Sequence, residues 1–535
     1  MKKTISILLA LVMLLTLAVP AFAAEKQGTA IPNIYMQGQG SHIALPDGTV
    51  IYDGGDLPDG FLSSAVKDCM PYFTEAMKND DEASWAAYRE KFMEYFLPVY
   101  GKFALDKNGE ASDGSKLEDM SWWNAGANKY GDGSYRIRSF NFYQDWRIDP
   151  FANAETLNEY VQLVKSRTGA SKVNLVGRCE GTNVILAYLD EYGYDDVACI
   201  ELYVMSANGV DLENALFSGK MEFDGAALRR FKETNDMVND VVGDDKVIND
   251  FIDALLEFTG DTMMLDASMA AIQALAPKIY KELIVYVLRE SYGTMPGIWS
   301  LVGPEYYQAA RKGVFEGYEE EYAGLLEKLD HYDARVRQRI PAIIDDAVAA
   351  GVKVANYAKY GNFQVQPVCD TNDEIGDNSV SLKFASLGAT TAKYGSTLSA
   401  NYIAKAEKNG TAQYISPDKM VDASTVLSSI RDTTWFIYGS EHRDFPGIIH
   451  DFMLKFLKAE GNLTVFDDPT APQYMLYQGE EDHGDTLVPM VEENAESFES
   501  GEVVFKKVNW KEMFQRFLQA LLAFFKQYLP TFLNK

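Results

Sequence analysis

The sequence predicts an α/β protein with a mostly parallel central sheet and helices on both of its faces. Apolar runs of strand type alternate with segments of helical periodicity between residues 34 and 205, and a strand pattern returns only at 352–357. Parallel strands need long crossover connections, which helices usually supply. With 535 residues, 47% of them hydrophobic, the chain is long enough to bury a large core and more than one structural unit.

Residues 1–24 have the pattern of a secretory signal peptide. Lys2 and Lys3 precede an apolar run at 5–19, and the segment ends in Pro-Ala-Phe-Ala-Ala. A membrane anchor is the alternative, but an anchor needs about 20 apolar residues and no cleavage site. We therefore expect the protein to be secreted or extracellular, or associated with the cell surface.

The composition excludes several classes of function. The formal net charge is −29, and loss of the two lysines of the signal peptide would bring it to −31. Such a charge repels nucleic acid, so we expect no nucleic-acid partner. The four cysteines form no Cys-x-x-Cys pair and the histidines form no cluster, so we expect no metal and no other cofactor. The sequence leaves open whether one pair forms a disulfide after export; the cysteines are Cys69, Cys179, Cys199 and Cys369.

Residues 25–208 are predicted to form the first part of the core. The patterns indicate, in order, a strand at 34–36, a polar helical region at 56–119, a strand at 135–143, an amphipathic helix at 154–168 and a strand at 198–205. Between the last two lies the stretch around which we expect the chain to be organised, residues 172–189.

That stretch predicts a strand that turns directly into a helix. Apolar residues at 173–176 are followed by Gly177-Arg178-Cys179-Glu180-Gly181, and helical spacing begins at Thr182. Small residues two positions on either side of a nucleophile, between a strand and a helix, are typical of the nucleophile elbow of α/β-hydrolases. Here the nucleophile is the thiol of Cys179. The alternative is a buried structural cysteine at a strand end, because free cysteine is among the most buried residue types.

The loop after the first strand is a candidate for part of an oxyanion hole. It reads Gln37-Gly38-Gln39-Gly40-Ser41-His42. At this position of an α/β-hydrolase, a loop contributes one backbone N–H, and the residue after the nucleophile contributes the other. We therefore predict the N–H groups of Gln39 and Glu180 for this role. An ordinary glycine-rich turn, with His42 as a simple loop histidine, is the alternative.

Several motifs resemble one branch of that fold, the lecithin:cholesterol acyltransferase-like hydrolases, which include secreted lipases and phospholipases. They are Asp145-Trp146-Arg147, Val173-Asn174-Leu175-Val176-Gly177, Met295-Pro296-Gly297-Ile298-Trp299, Glu374-Ile375-Gly376-Asp377-Asn378-Ser379-Val380 and Tyr438-Gly439-Ser440-Glu441-His442. The resemblance implies an acyl-ester hydrolase or acyltransferase with its acid near Asp377 and its histidine near His442. The chain departs from the family in having Cys179 for serine, Arg178 for histidine and a long insertion between Asp377 and His442.

Residues 209–350 are predicted to form a helical cap, and 351–500 the second part of the core. Helical periodicity is present at 246–258, 267–290, 304–329 and 332–350. A cap over the strand ends would exclude water and shape an acyl pocket. Methionines and tyrosines of this region are candidates for the pocket lining, although such residues more often fill a core; they are Met263, Met264, Met269, Tyr306 and Tyr307.

A thiol nucleophile needs a base and an acid that orients the base. The chain order in α/β-hydrolases is nucleophile, acid, histidine. His442 follows an apolar strand at 434–438, where a base is expected, and His483 is its rival. Asp377 is the favoured acid because of its Gly-Asp-x-Ser-Val context; Asp370, Asp373 and Asp422 are the alternatives in the same interval.

The last segment, 501–535, predicts an amphipathic helix. Its apolar stripe begins at Trp510 and ends at Leu533, with Pro530 as the only helix breaker. Such a helix could contact a membrane interface. Docking on the core or on a second copy is an equal alternative.

The sequence thus predicts a secreted α/β-hydrolase acting on lipid or other small esters through Cys179, His442 and Asp377, with a thioester acyl-enzyme. The alternative is a degenerate member of the fold that binds a lipid or another ligand at the cell surface without turnover.

Overall fold

A computed structural model describes residues 31–54, 61–118, 139–223, 225, 227, 262–363, 368–371, 373–479, 484–495, 519, 522 and 523. The predicted signal peptide 1–24, the predicted helix 246–258 and His483 lie outside these residues. So does the C-terminal segment 501–535, apart from three isolated positions.

The centre of the fold is one sheet of eight strands. In chain order they are β1 (Asn33–Met36), β2 (Ser139–Phe142), β3 (Val173–Arg178), β4 (Val197–Tyr203), β5 (Lys353–Tyr360), β6 (Thr434–Tyr438), β7 (Tyr474–Gln478) and β8 (Thr486–Pro489). Their order across the sheet is β8-β7-β6-β5-β4-β3-β1-β2. Every neighbouring pair is parallel except β7 and β8. The prediction of an α/β fold with a mostly parallel sheet is confirmed.

Fourteen α-helices lie in the described residues. They are α1 (Phe61–Asn79), α2 (Glu82–Phe96), α3 (Pro150–Thr168), α4 (Gly181–Tyr192), α5 (Asp211–Ser218), α6 (Thr262–Ile279), α7 (Val285–Arg289), α8 (Pro296–Trp299), α9 (Tyr307–Phe315), α10 (Ala323–Arg335), α11 (Ile340–Ala349), α12 (Leu382–Ala385), α13 (Ala400–Asn409) and α14 (Gly447–Lys458). Three small antiparallel sheets lie outside the main one: Ile43–Ala44 with Val50–Tyr52 and Lys116–Leu117, Asn362–Phe363 with Ile375–Gly376, and Thr390–Thr391 with Val421–Asp422.

Apolar side chains on both faces of the sheet hold the helices against it. On one face α3, α4 and α11 share a buried cluster with strand residues such as Leu175 and Ile200. On the other face α14 packs through Phe452 and Phe456 onto Trp435 and Tyr357. Side chains alternate along a strand, so the strands are buried on both sides and read as nearly continuous apolar runs.

The region predicted as a cap contains no strand among its described residues, but it is divided between two packing environments. Helix α11, which the sequence analysis assigns to the cap, packs with α4 on one face of the sheet. It is therefore part of the crossover between β4 and β5, and a cap over 209–350 stays a prediction. Periodicity alone cannot separate the two cases, because a sheet-covering helix and a cap helix each bury one face.

Helices α5 and α7 to α10 contribute to the largest buried cluster of the described residues, together with the carboxyl ends of β5 and β6. Trp299, Tyr307 and Phe315 belong to this cluster, as do Tyr360 and Tyr438, which end those two strands. Of the predicted pocket residues whose side chains are described, Tyr306 and Tyr307 therefore fill a core. Met269 is also buried, but it lies outside the cluster and lines a cavity.

All four cysteines are free thiols, so the possible disulfide does not form. Among the described residues, no helix has both the length and the apolar character needed to cross a membrane.

Candidate active site

Cys179 lies at the sharp turn between β3 and α4. Its φ is +50°, a left-handed conformation that a side chain with a Cβ rarely adopts. The turn is fixed by hydrogen bonds: the Cys179 N–H donates to the Tyr203 carbonyl at 3.0 Å, and the Thr182 hydroxyl donates to the Cys179 carbonyl at 2.6 Å. A strained residue held on both sides in this way is a common feature of functional sites.

The two glycines of the motif are required by close contacts rather than by their φ angles. A Cβ on Gly177 would lie 2.7 Å from Ile185 Cδ1, and one on Gly181 would lie 3.0 Å from the Gln37 carbonyl oxygen. The helix therefore starts directly against the end of β1. This explains why the residues two positions before and two positions after Cys179 are both glycine.

The loop after β1 passes directly over Cys179. A Cβ on Gly38 would lie 2.8 Å from Cys179 Cβ and 3.5 Å from Cys179 Sγ. Gln39, predicted for the oxyanion hole, follows Gly38 and is exposed. The roles of the Gln39 and Glu180 N–H groups in an oxyanion hole stay predictions.

His442 and Asp377 are paired next to Cys179. His442 Nδ1 lies 2.7 Å from Asp377 Oδ2, and the His442 backbone N–H donates to the Asp377 carbonyl at 2.8 Å. Cys179 acts electrostatically on the His442 side chain, so the thiol lies close to the imidazole. Residues 179, 377 and 442, which are far apart in the chain, are therefore brought together in the order thiol, imidazole, carboxylate.

Backbone N–H groups hold the Asp377 carboxylate in place. Asp377 Oδ1 accepts hydrogen bonds from Val380 N–H at 2.8 Å and Ser379 N–H at 3.1 Å. Asp211 holds the residues that follow Asp377 in place, because its carboxylate accepts hydrogen bonds from the Ser381 backbone N–H and hydroxyl, both at 2.6 Å. Despite complete burial, the interaction with His442 and these donors hold the pKa of Asp377 below its usual value.

The pKa of His442 moves in the opposite direction. Burial alone would lower it, but the Asp377 carboxylate, the hydrogen bond to that carboxylate and the nearby Cys179 raise the pKa from 6.5 to about 10. His442 is therefore protonated at neutral pH. A protonated imidazole next to Cys179 is placed to give its proton to a leaving group.

Three side chains clamp the loop that carries His442. Arg178 donates to the carbonyls of His442 at 3.2 Å and Arg443 at 2.6 Å. Lys359 and Tyr203 both donate to the Asp444 carbonyl, Tyr203 at 2.7 Å. Arg178, Tyr203 and Lys359 come from three neighbouring strands, so the sheet itself fixes the position of the imidazole.

The clamp includes a fully buried lysine. Lys359 is 0% exposed, and burial lowers its pKa to about 7, although the Asp377 and Asp444 carboxylates act in the opposite direction. Its ammonium also lies 4.9 Å from the centre of the Tyr203 ring. The sequence does not single this residue out, because the same strand also contains Lys353 and Asn356.

The other candidate histidines that the structure describes have different partners. His42 is exposed and lies 3.0 Å from Glu118, His331 contacts the Phe151 ring, and His450 lies 3.1 Å from the Tyr35 hydroxyl. The rival acids are also engaged: Asp370 accepts from Tyr306, Asp373 pairs with Lys393, and Asp422 accepts from Tyr402. Among the predicted acids and histidines that the structure describes, only Asp377 and His442 are paired with each other.

The segments 145–147 and 295–299, which both resemble motifs of the same family, contact each other in the fold. Gly297 N–H donates to the Arg147 carbonyl at 3.1 Å, and a Cβ on Gly297 would lie 2.1 Å from the Trp146 carbonyl oxygen. The segment after β2 and helix α8 are thus in direct contact.

The sequence did not reveal the close contact of Gly38 with Cys179 or the role of Lys359 in holding the His442 loop. It showed Arg178 only as a departure from a family pattern.

The structure also contains a cavity of about 530 Å³. Its lining combines Lys220, Glu222 and Asp370 with apolar side chains of α6, and it includes none of Cys179, Asp377 and His442. Within the described part of the chain, no three His, Cys, Asp or Glu side chains are placed to hold a metal ion.

Comparison with known proteins assigns no family. No protein-family model matches the chain, and no curated protein sequence matches it. The function must therefore be argued from the geometry of the site.

Proposed function

We propose that this chain is a secreted α/β-hydrolase that cleaves or transfers acyl esters through Cys179. One observation carries the proposal: the thiol at a strained turn, with φ +50°, lies close to His442, whose ring nitrogen is 2.7 Å from a carboxylate oxygen of the buried Asp377. A nucleophile, a base and an orienting carboxylate in contact are the requirements for covalent acyl transfer. The helices between β4 and β5 that cover the strand ends would serve as its cap.

In the first half of the reaction the Cys179 thiolate attacks the ester carbonyl carbon. The carbonyl oxygen becomes an oxyanion, for which the N–H groups of Gln39 and Glu180 are the proposed donors. When the C–O bond breaks, the His442 imidazolium gives its proton to the leaving alkoxide, and a thioester on Cys179 remains. In the second half neutral His442 takes a proton from water or an acceptor alcohol, which attacks the thioester and releases Cys179.

Lipid esters are the proposed substrate class, on the strength of the resemblance to lecithin:cholesterol acyltransferase-like hydrolases. The segment 510–533 is the proposed contact with a membrane interface. Vesicle co-flotation of the full chain and of a variant lacking 510–535 tests this contact. Equal flotation of the two proteins would contradict it.

The central experiment compares three purified proteins on p-nitrophenyl esters of increasing chain length: wild type, Cys179→Ala and the control Cys69→Ala. Cys69 is a free cysteine on α1, outside the site. We expect wild type and Cys69→Ala to hydrolyse the esters, to lose activity with iodoacetamide and to carry a thioester that mass spectrometry detects. Hydrolysis that survives Cys179→Ala unchanged would refute the mechanism. No acyl-enzyme with any ester would favour a binding protein instead.

A further inference from the structure

We infer that the cavity of about 530 Å³ binds a small zwitterion with an apolar body, that is, a free apolar amino acid or a short apolar peptide. The inference goes beyond the proposed function and does not rest on it, because the lining includes none of Cys179, Asp377 and His442. It stands on the space inside the cavity, on the contacts that fix its walls, and on two opposite charges that line it without pairing.

Three separate segments of the chain form the walls of the cavity. They are residues 220–225, which follow α5, residues 269–273 of α6, and Asp370. The volume of about 530 Å³ is of the size usual for small-molecule sites. The cavity therefore has room for a ligand beside the side chains that line it.

Backbone contacts fix these segments relative to one another. The Gln273 side chain accepts a hydrogen bond from the Phe223 N–H at 2.8 Å and donates to the Met221 carbonyl at 2.9 Å. Met221 also forms an antiparallel bridge with Cys369, which directly precedes Asp370. All three walls are thereby joined. A ligand entering this site does not have to order the walls, and this lowers the free-energy cost of binding.

Two opposite charges line the cavity at different points of one tyrosine side chain. The Lys220 ammonium lies 4.4 Å from the centre of the Tyr306 ring. The Asp370 carboxylate accepts from the Tyr306 hydroxyl, at 3.2 Å and 3.1 Å for its two oxygens. Lys220 and Asp370 form no ion pair with each other, and within the part of the chain that the structure describes neither has another partner of opposite charge.

These charges select the class of ligand. A carboxylate on the ligand would pair with Lys220, and an ammonium would pair with Asp370. A ligand with a single charge would leave one of these groups unpaired and would meet a like charge. Glu222 adds a second carboxylate to the lining, and the formal net charge of the chain is −29, so a simple anion is repelled further. A zwitterion has no net charge and satisfies both Lys220 and Asp370.

Apolar side chains complete the lining and select the body of the ligand. They are Met221, Phe223, Met269 and Ala270. Methionine is flexible and adapts to the shape of what it contacts. An aliphatic side chain on the ligand would lose its contact with water against these residues, which favours binding. Glycine carries the same two charges but lacks this apolar surface, so we expect it to bind more weakly.

Calorimetry on the full chain tests the class of ligand. Leucine and leucyl-leucine are compared with 3-methylbutylammonium, which lacks the carboxylate of leucine, and with 4-methylpentanoate, which lacks its ammonium. We expect the tighter of the two zwitterions to bind at least about tenfold more tightly than either analogue and than glycine. Tighter binding of leucine would identify a free amino acid as the ligand, and tighter binding of leucyl-leucine a peptide. No binding of either zwitterion, or affinities equal to those of the analogues, would overturn the site.

Two variants assign each charge separately. Lys220→Met should abolish the preference over 3-methylbutylammonium, and Asp370→Asn should abolish the preference over 4-methylpentanoate. Lys408→Met, at an exposed position of α13, and Asp373→Asn, at a carboxylate that pairs with Lys393, are the matched controls and should keep both preferences. Because Lys220 is exposed, its variant should fold, and thermal unfolding checks this. A folded Lys220→Met that keeps its preference would overturn the site, whatever the esterase assays of Cys179 show.

Discussion

At the scale of single residues, the site depends on the hydrogen bond between His442 and Asp377. Asp377 is buried and accepts hydrogen bonds from two backbone N–H groups and from His442. Its charge is what keeps His442 protonated next to Cys179. The same interaction links the state of the site to the stability of the protein, because a pKa that differs between the folded and unfolded states makes folding depend on pH.

The stability of the wild type should therefore fall between pH 6.5 and about 10. The folded pKa of His442 is raised from 6.5 to about 10, so its contribution is complete below pH 6.5 and is lost as the pH rises through the folded value. Asp377→Asn removes the main cause and should flatten this loss. The measurement is the free energy of unfolding in urea at pH 6.5, 8 and 10 for both proteins. Parallel curves would contradict the assignment.

Asp377→Asn should also reduce the proposed esterase activity by about 10²- to 10⁴-fold, because an amide no longer stabilises the imidazolium or fixes its tautomer. Steady-state kinetics at fixed pH measure the loss. Asp373→Asn, at a carboxylate that instead pairs with Lys393, is the matched control and should retain activity.

At the scale of elements, the turn from β3 into α4 depends on space as well as on conformation. Ile185 packs against Gly177, and the end of β1 packs against Gly181, at distances that a Cβ on either glycine would not permit. The loop carrying His442 is a second such element, held by donors from three strands. Each element can be tested by one substitution.

Gly181→Ala should destabilise the protein by about 1–3 kcal/mol, because its Cβ would be forced against the Met36 and Gln37 backbone. Gly447→Ala is the control: Gly447 also begins a helix, α14, but a Cβ there meets nothing within 4 Å. The control should change stability by less than about 1 kcal/mol. Urea unfolding measures both, and equal effects would argue against a packing role for Gly181.

Arg178→Met should lower kcat more than it raises KM. It removes the donors to the His442 and Arg443 carbonyls but leaves the aliphatic length of the side chain. Arg178→Lys should restore part of the loss, since one donor remains. The pH profile of kcat would shift if the imidazole is displaced; an unchanged profile with lower overall stability would indicate a purely structural role.

At the scale of the whole molecule, a buried ion pair ties separate parts of the chain together. Arg147 is 0% exposed and donates to Asp145, to Ser115 and to the Phe103 carbonyl. It thereby joins the segment after β2 to the region between α2 and β2. Its neighbour Trp146 contacts α8, so the same segment reaches the helices between β4 and β5.

Arg147→Met should destabilise the protein by about 3–5 kcal/mol, because it leaves Asp145 buried without a compensating charge. The double variant Arg147→Met with Asp145→Leu should recover part of this loss, since it removes the orphaned charge as well. Thermal and urea unfolding of the wild type and both variants measure these changes in stability. A double variant that is less stable than the single one would contradict the explanation.

The sequence alone determined the class of the fold and the chain order of the site. Apolar runs separated by helical segments dictate a parallel sheet, because such strands must be buried on both faces. The glycines around Cys179 reflect a local constraint, so a local pattern reveals them. The preference for Asp377 and His442 followed from chain order and flanking residues, both of which are visible in the sequence.

Only the tertiary structure decided which distant groups meet. The positions of Gly38 above Cys179 and of Lys359 beside the His442 loop depend on how separate strands and helices pack. The packing of helix α11 with α4 on one face of the sheet was decided in the same way. A helical pattern records that one face is buried but not what buries it, and a buried charge acquires its pKa from neighbours that the sequence does not list.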